Sequence, residues 1–169
     1  EGLWDALLEQ VDKGDVVFIQ FGHNDHDKRK PERYTPLDEY KANLLKMVSD
    51  VNRKKARPIL VTPIAMRSFK EGKYYDGHGG YPEVMKDVAD KTNTHLIDLN
   101  TASGDFLRTV GYQSSKKLFM NLEPGEEKNW PDGKKDNTHL SNKGAEEMAA
   151  LVIKDIKSNK IKPLYKLLK

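Results

Sequence analysis

Three short apolar runs, Asp15–Phe21, Pro58–Thr62 and His95–Leu99, are separated by segments whose apolar residues recur on a helical period. Runs of that length without polar alternation fit strands buried on both faces. Such strands alternating with helices form a parallel sheet with right-handed crossovers. One helix is expected to start at Thr35-Pro36, with Thr35 as cap, Pro36 at the first helical position and a buried stripe of Leu37, Tyr40, Leu44, Met47, Val48 and Val51. Others run from Pro82 through Val84, Met85, Val88 and Ala89, and from Thr101 with Ala102, Phe106, Leu107 and Val110. Ser141 can cap a last helix with apolar positions Ala145, Met148, Ala149, Val152 and Ile156, and Leu3, Trp4, Leu7, Leu8 and Val11 form a helical stripe near the N-terminus. The expected class is α/β, a flavodoxin-like three-layer α/β/α fold around a parallel sheet. The 169 residues suit one domain, residues 1–158, with 159–169 as a tail or docking helix.

In doubly wound sheets the reactive groups gather outside the C-terminal ends of the strands. The first run delivers Gly22-His23-Asn24-Asp25 to that rim, and the second leads into a long segment from Ala65 to Tyr81 that carries Arg67, Tyr74, Tyr75 and His78. Segments so long without regular structure are usually functional or disordered, and the aromatics favour function here. Asp136-Asn137-Thr138-His139, read as polar loop opening onto the last helix, can reach the same rim. A His three residues after an Asp can act as general base while the carboxylate fixes its tautomer, and the Asn24 amide can donate to an oxyanion. Each motif also has a plain structural reading. Asp136 could cap a turn beside a surface His, and Gly22 could serve a tight turn with Asn24 and Asp25 capping the backbone.

Composition narrows the chemistry. Lys and Arg number 29 against 26 Asp and Glu, a net charge of +3 spread along the chain, which lacks the basic stripe of a nucleic-acid partner. The absence of cysteine removes disulfides, zinc-thiolate sites and a Cys nucleophile. No apolar run approaches the ~18 residues of a membrane helix.

Phe21-Gly22-His23-Asn24-Asp25 resembles the Gly-x-Asn-Asp block of the SGNH, or GDSL, hydrolases, and Asp136-Asn137-Thr138-His139 resembles their Asp-x-x-His block. Val61-Thr62-Pro63, Arg67 and Leu122-Glu123-Pro124-Gly125 follow the order found in the rhamnogalacturonan acetylesterase branch. The resemblance implies the SGNH fold and a carbohydrate O-acetylesterase that removes acetyl groups from a pectic polysaccharide by a Ser-His-Asp mechanism. It assigns His139 as base, Asp136 as its orienting carboxylate and Asn24 to the oxyanion hole. Arg67, His78 and Tyr81 are candidates for substrate contact. No metal or other cofactor is implied. The partner would be an acetylated polysaccharide or oligosaccharide, with no nucleic acid or membrane, and the compartment extracellular or periplasmic by family analogy.

The family carries its nucleophile in a Gly-Asp-Ser block, which this chain does not contain; Ser103-Gly104-Asp105 has the letters reversed. The three visible strands would then be the third to fifth of the family sheet, with the first strands missing from this chain. Val16 to Phe21 would be left with an unpaired apolar edge, and the 169 residues alone would be inactive. Competing readings are another SGNH esterase or lipase, an inactive carbohydrate-binding fragment, and a metallo-phosphoesterase using His23, Asp25, Asp136 and His139.

Overall fold

Apolar runs and helical periods fold as their alternation predicts, into an α/β protein, seen in a computed structural model that describes residues 2–168. In chain order the elements are α1 (Leu3–Glu9), β1 (Val16–Ile19), α2 (Leu37–Arg53), β2 (Arg57–Val61), β3 (Phe69–Lys70), β4 (Lys73–Tyr74) and α3 (Tyr81–Thr92). They continue with β5 (His95–Ile97), α4 (Leu99–Val110), a 3-10 turn (Ser114–Leu118), β6 (Phe119–Leu122), β7 (Lys134–Leu140), α5 (Asn142–Ser158) and a 3-10 turn (Leu164–Lys166). Two compact units result. One comprises the chain up to Pro63 together with His78–Asp98, the other Ile64–Gly77 together with the chain from Leu99 onward.

The first unit holds the parallel sheet, in the order β1-β2-β5. Central β2 buries Ile59, Leu60 and Val61. Leu60 and Ile19 join Tyr40, Leu44, Val48 and Val51 of α2 and Met85, Val88 and Ala89 of α3 in one apolar cluster. Trp4 of α1 packs on that cluster and donates from its indole Nε1 to Asp50, 2.9 Å away. Two expectations need correction. β1 is not buried on both faces: among the described residues it pairs with β2 alone, and Phe18 and, just beyond the strand, Phe21 are 45% and 46% exposed. Thr35 does not cap α2. Pro36, extended at φ −54° and ψ 152°, occupies that position instead of the first helical one, so the helix starts a residue later at Leu37 and the Thr35 hydroxyl donates to Arg33 O.

The second unit contains two antiparallel pairs that its polar sequence conceals. β3 and β4 close on Glu71-Gly72, both at positive φ, the requirement of a tight hairpin turn. β6 pairs with β7, so Lys134 to His139 is strand rather than loop. Ser141 caps α5 as expected, accepting from Gly144 N at 3.1 Å and donating to Lys117 O at 2.7 Å. The buried face of α5 runs through Gly144, Met148 and Ile156, whereas Ala145 and Ala149 face solvent. A Cβ on Gly144 would lie 1.9 Å from Leu118 O, so the helix approaches the backbone of the 3-10 turn as closely as only glycine permits.

Alanine for glycine inside a helix ordinarily stabilises by about 1 kcal/mol. At Gly144 the sign reverses. Gly144→Ala is expected to destabilise by about 1–3 kcal/mol, as overpacking does, read as a lower urea midpoint with unchanged slope. A raised midpoint would contradict the close approach.

Candidate active site

In the first unit, β1 runs out into Gly22 and a turn through His23–His26. Gly22 adopts φ 110°, and a Cβ there would lie 2.9 Å from the Tyr40 hydroxyl, so the backbone packs directly on that ring. Tyr40 donates to Phe21 O at 3.0 Å, and burial, reinforced by the charge of Asp25, pushes its hydroxyl well above the ordinary tyrosine range. Gly22 N–H donates to Asp25 Oδ2 at 2.8 Å. Asn24 is exposed, and among the described residues its side-chain amide forms no hydrogen bond. A fixed turn thus presents one uncommitted amide.

His78 and Tyr81 lie behind that turn. His78 is 0% exposed, with Nε2 2.9 Å from His23 Nδ1, and the His23, His26 and His78 rings sit 5.1 to 5.8 Å apart. The buried Tyr81 hydroxyl donates to the carbonyls of Asp25 and Thr35. Both residues, expected at the substrate, brace the Gly22–Asp25 turn from the interior.

In the second unit the β6–β7 ladder pairs Phe119 with Leu140 and Asn121 with Lys135. Between those pairs β6 has Met120 alone and β7 has residues 136–139, so Asp136-Asn137-Thr138-His139 is an excursion from the ladder. Irregularities of this kind re-aim side chains beside active sites. Within it Asp136 Oδ1 accepts the N–H groups of Thr138 and His139, each at 2.9 Å, and Oδ2 lies 2.6 Å from His139 Nδ1. Lys134 Nζ stands 3.2 Å from Oδ2 and 4.2 Å from the centroid of the Trp130 ring. Burial pushes the Asp136 carboxyl up, but the two backbone N–H groups, the His139 ring and the Lys134 ammonium outweigh it and hold the pKa well below the usual carboxylate range. The Asp136 side chain is 13% exposed and that of His139 is 74% exposed. An ionised carboxylate on Nδ1 makes that nitrogen the donor, which leaves Nε2 of the neutral ring to accept a proton.

Arg67 is buried beside this segment. Its Nε donates to Ser115 Oγ at 3.1 Å, one terminal nitrogen donates to Asn137 Oδ1 at 3.0 Å and the other to Tyr112 O. Ser103, buried on α4, donates to Leu99 O at 2.6 Å and accepts from Ala65 N, as a structural hydroxyl does. Asn121, Lys134 and Asn137 escaped the sequence reading. Asn137 sits inside the Asp-x-x-His motif, but only the unrecognised β6 strand brings Asn121 to it. Among the described residues no three His, Asp or Glu side chains are grouped to hold a metal ion.

Residues 2–147 match the GDSL-like Lipase/Acylhydrolase family. The chain belongs to this family. Rhamnogalacturonan acetylesterase RhgT of Bacillus subtilis (strain 168) is 38% identical to this family member over 158 residues, which span 92% of the chain and 66% of that enzyme. The probable rhamnogalacturonan acetylesterase YesY of the same organism is also 38% identical, over 93% of the chain and 69% of its own length. The chain therefore spans about two thirds of these curated relatives. Among solved structures, protein YxiM of Bacillus subtilis superposes with a TM-score of 0.78 at 26% identity, over 96% of this chain and 42% of that one. The acetylxylan esterase Axe2 of Geobacillus stearothermophilus gives 0.61 at 26% identity, over 89% and 62%. Solved catalytic mutants of Axe2 replace a Ser, an Asp and a His, the last two three positions apart, as Asp136 and His139 are here. These neighbours share the α/β fold with its parallel sheet.

A carboxyl whose pKa is depressed on folding stabilises the protein fully above its unfolded value, about 3.9 for Asp, and progressively less as pH falls through the folded value. The stability difference between the native protein and Asp136→Asn is therefore expected to be constant above about pH 5 and to shrink below about pH 4. Urea titrations of both proteins from pH 3 to 8 read it directly.

Proposed function

We propose that the whole protein is a carbohydrate O-acetylesterase, with Asp136 and His139 as the orienting carboxylate and base and with a serine outside these 169 residues as nucleophile. The pairing of an ionised, amide-held Asp136 with Nδ1 of an exposed His139 carries this reading. It is supported by the family, by the names of the relatives, and by the spacing shared with the catalytic mutants of Axe2. His139 Nε2 takes the serine proton as the oxygen attacks the acetyl carbonyl, while Asp136 stabilises the imidazolium. Asn24 donates to the oxyanion, a contact worth ~2.7–4 kcal/mol where measured in another hydrolase. Collapse of the tetrahedral intermediate returns the proton to the departing sugar hydroxyl and leaves an acetyl-serine. Water, deprotonated by His139, then attacks that ester and releases acetate.

The substrate we assign is an acetylated pectic polysaccharide of the rhamnogalacturonan type, following the names of RhgT and YesY, and by family analogy we assign an extracellular or periplasmic compartment. No helix among the described residues is long and apolar enough to cross a membrane. His78 and Tyr81 are assigned to supporting the Asn24 turn because both are buried.

In the whole protein, release of acetate from acetylated rhamnogalacturonan and from an aryl acetate should fall by roughly a million-fold in His139→Ala. A serine-directed phosphonate should abolish it and chelators should not. Activity that survives His139→Ala, or that chelators remove, would defeat the proposal. Residues 1–169 by themselves should not hydrolyse an aryl acetate above background, because a base and an oxyanion donor without a nucleophile cannot form the acyl-enzyme.

A further inference from the structure

Resting on that reading of Asp136 and His139, we infer that Arg67 is a positioning residue that clamps the Asp136–His139 excursion through Asn137. An excursion of four residues opposite one has given up its regular ladder bonds, so other donors must fix it. Arg67 supplies two of them. Its backbone N–H donates to Asn137 O at 2.9 Å, and its guanidinium donates to Asn137 Oδ1 at 3.0 Å. Asn121 Nδ2 adds bonds to Asp136 O at 3.0 Å and Asn137 Oδ1 at 3.2 Å. The guanidinium is itself held. Arg67 is 5% exposed, its other nitrogens are engaged by Ser115 Oγ and Tyr112 O, and its Cζ lies 4.5 Å from the Tyr112 ring centroid and 5.5 Å from that of Phe69.

A planar fork that hydrogen-bonds inside the protein from each of its three nitrogens, on a side chain only 5% exposed, is poorly placed to meet a galacturonate carboxylate, the role expected of Arg67 from sequence. What it controls is Asn137, the first of the two residues between Asp136 and His139. The bond to the Asn137 carbonyl fixes the peptide plane it shares with Thr138, and that plane carries the Thr138 N–H, one of the two backbone groups that hold the Asp136 carboxylate; the His139 N–H follows on the next peptide. A lysine can replace the charge but not the fork.

The test uses the whole protein with Arg67→Lys, Arg67→Gln, Asn137→Ala and the Gln/Ala double variant. Clamping predicts that kcat falls about 100-fold, the cost of a displacement of about 1 Å, with KM little changed. The fall should be equal on a neutral aryl acetate and on an acetylated galacturonate oligomer. The double variant should be no worse than the worse single one. In protein labelled with ¹⁵N-histidine, the downfield Nδ1 proton of His139, assigned by its loss in His139→Gln, should weaken or vanish in each variant. A loss confined to the galacturonate substrate and to KM would return Arg67 to substrate contact. Lower thermal stability with kcat and the His139 proton unchanged, or full activity in Arg67→Lys, would also overturn the clamp. Asn137 is exposed, so its variant stands even if the Arg67 variants fail to fold. If the whole protein proves to have no esterase activity, the proposed function fails while the His139 proton still decides the clamp.

Discussion

An aspartate that is largely buried yet ionised must be surrounded by donors, and Asp136 is surrounded by two backbone N–H groups, an imidazole and an ammonium. Much of the second unit serves to keep those donors in place. The β6–β7 ladder delivers the strand, Ser141 ties its end both to the turn before β6 and to α5, and the contact of Gly144 with Leu118 sets how closely the helix can approach. The carboxylate is stable because backbone geometry supplies half of its partners. That geometry exists only because four residues leave the ladder where one would have sufficed.

The first unit follows a similar logic with different groups. A glycine lies on a tyrosine ring, the tyrosine hydroxyl holds the strand end, and Tyr81 holds the turn that follows by its carbonyls. The polar side chains here act on backbone carbonyls, which leaves Asn24 exposed on a fixed turn. A rigid support under an exposed amide is what an oxyanion donor requires, since its value depends on not having to reorganise.

The parallel sheet was legible because Val16 to Phe21, Pro58 to Thr62 and His95 to Leu99 are continuous apolar runs, and their register follows from burial. The Asp-x-x-His and Gly-x-Asn-Asp motifs were legible as residue types at a spacing. The strand that carries the first of them was not. Lys134-Lys135-Asp136-Asn137-Thr138-His139 has no apolar alternation, because its pairing is fixed by Arg67, Asn121 and the Asp136 ring of hydrogen bonds rather than by a buried face. The β3–β4 hairpin left one trace, Glu71-Gly72, too slight to outweigh the glycines around it. Arg67 illustrates the limit of reading by type. An arginine shortly after a strand end suggests a hand for an anionic substrate, and only its burial and four neighbouring residues reveal that its nitrogens bond within the protein.

The two tryptophans of the chain fall one to each unit. Trp4 donates its indole N–H to a buried carboxylate on α2, and Trp130 lies under the ammonium that also touches Asp136. The molecule therefore carries two indoles with oppositely charged neighbours, a carboxylate at Trp4 and an ammonium at Trp130. Replacing either with phenylalanine leaves an indole signal that belongs to one unit alone, and the Trp130 signal originates three contacts away from His139, through Lys134 and Asp136.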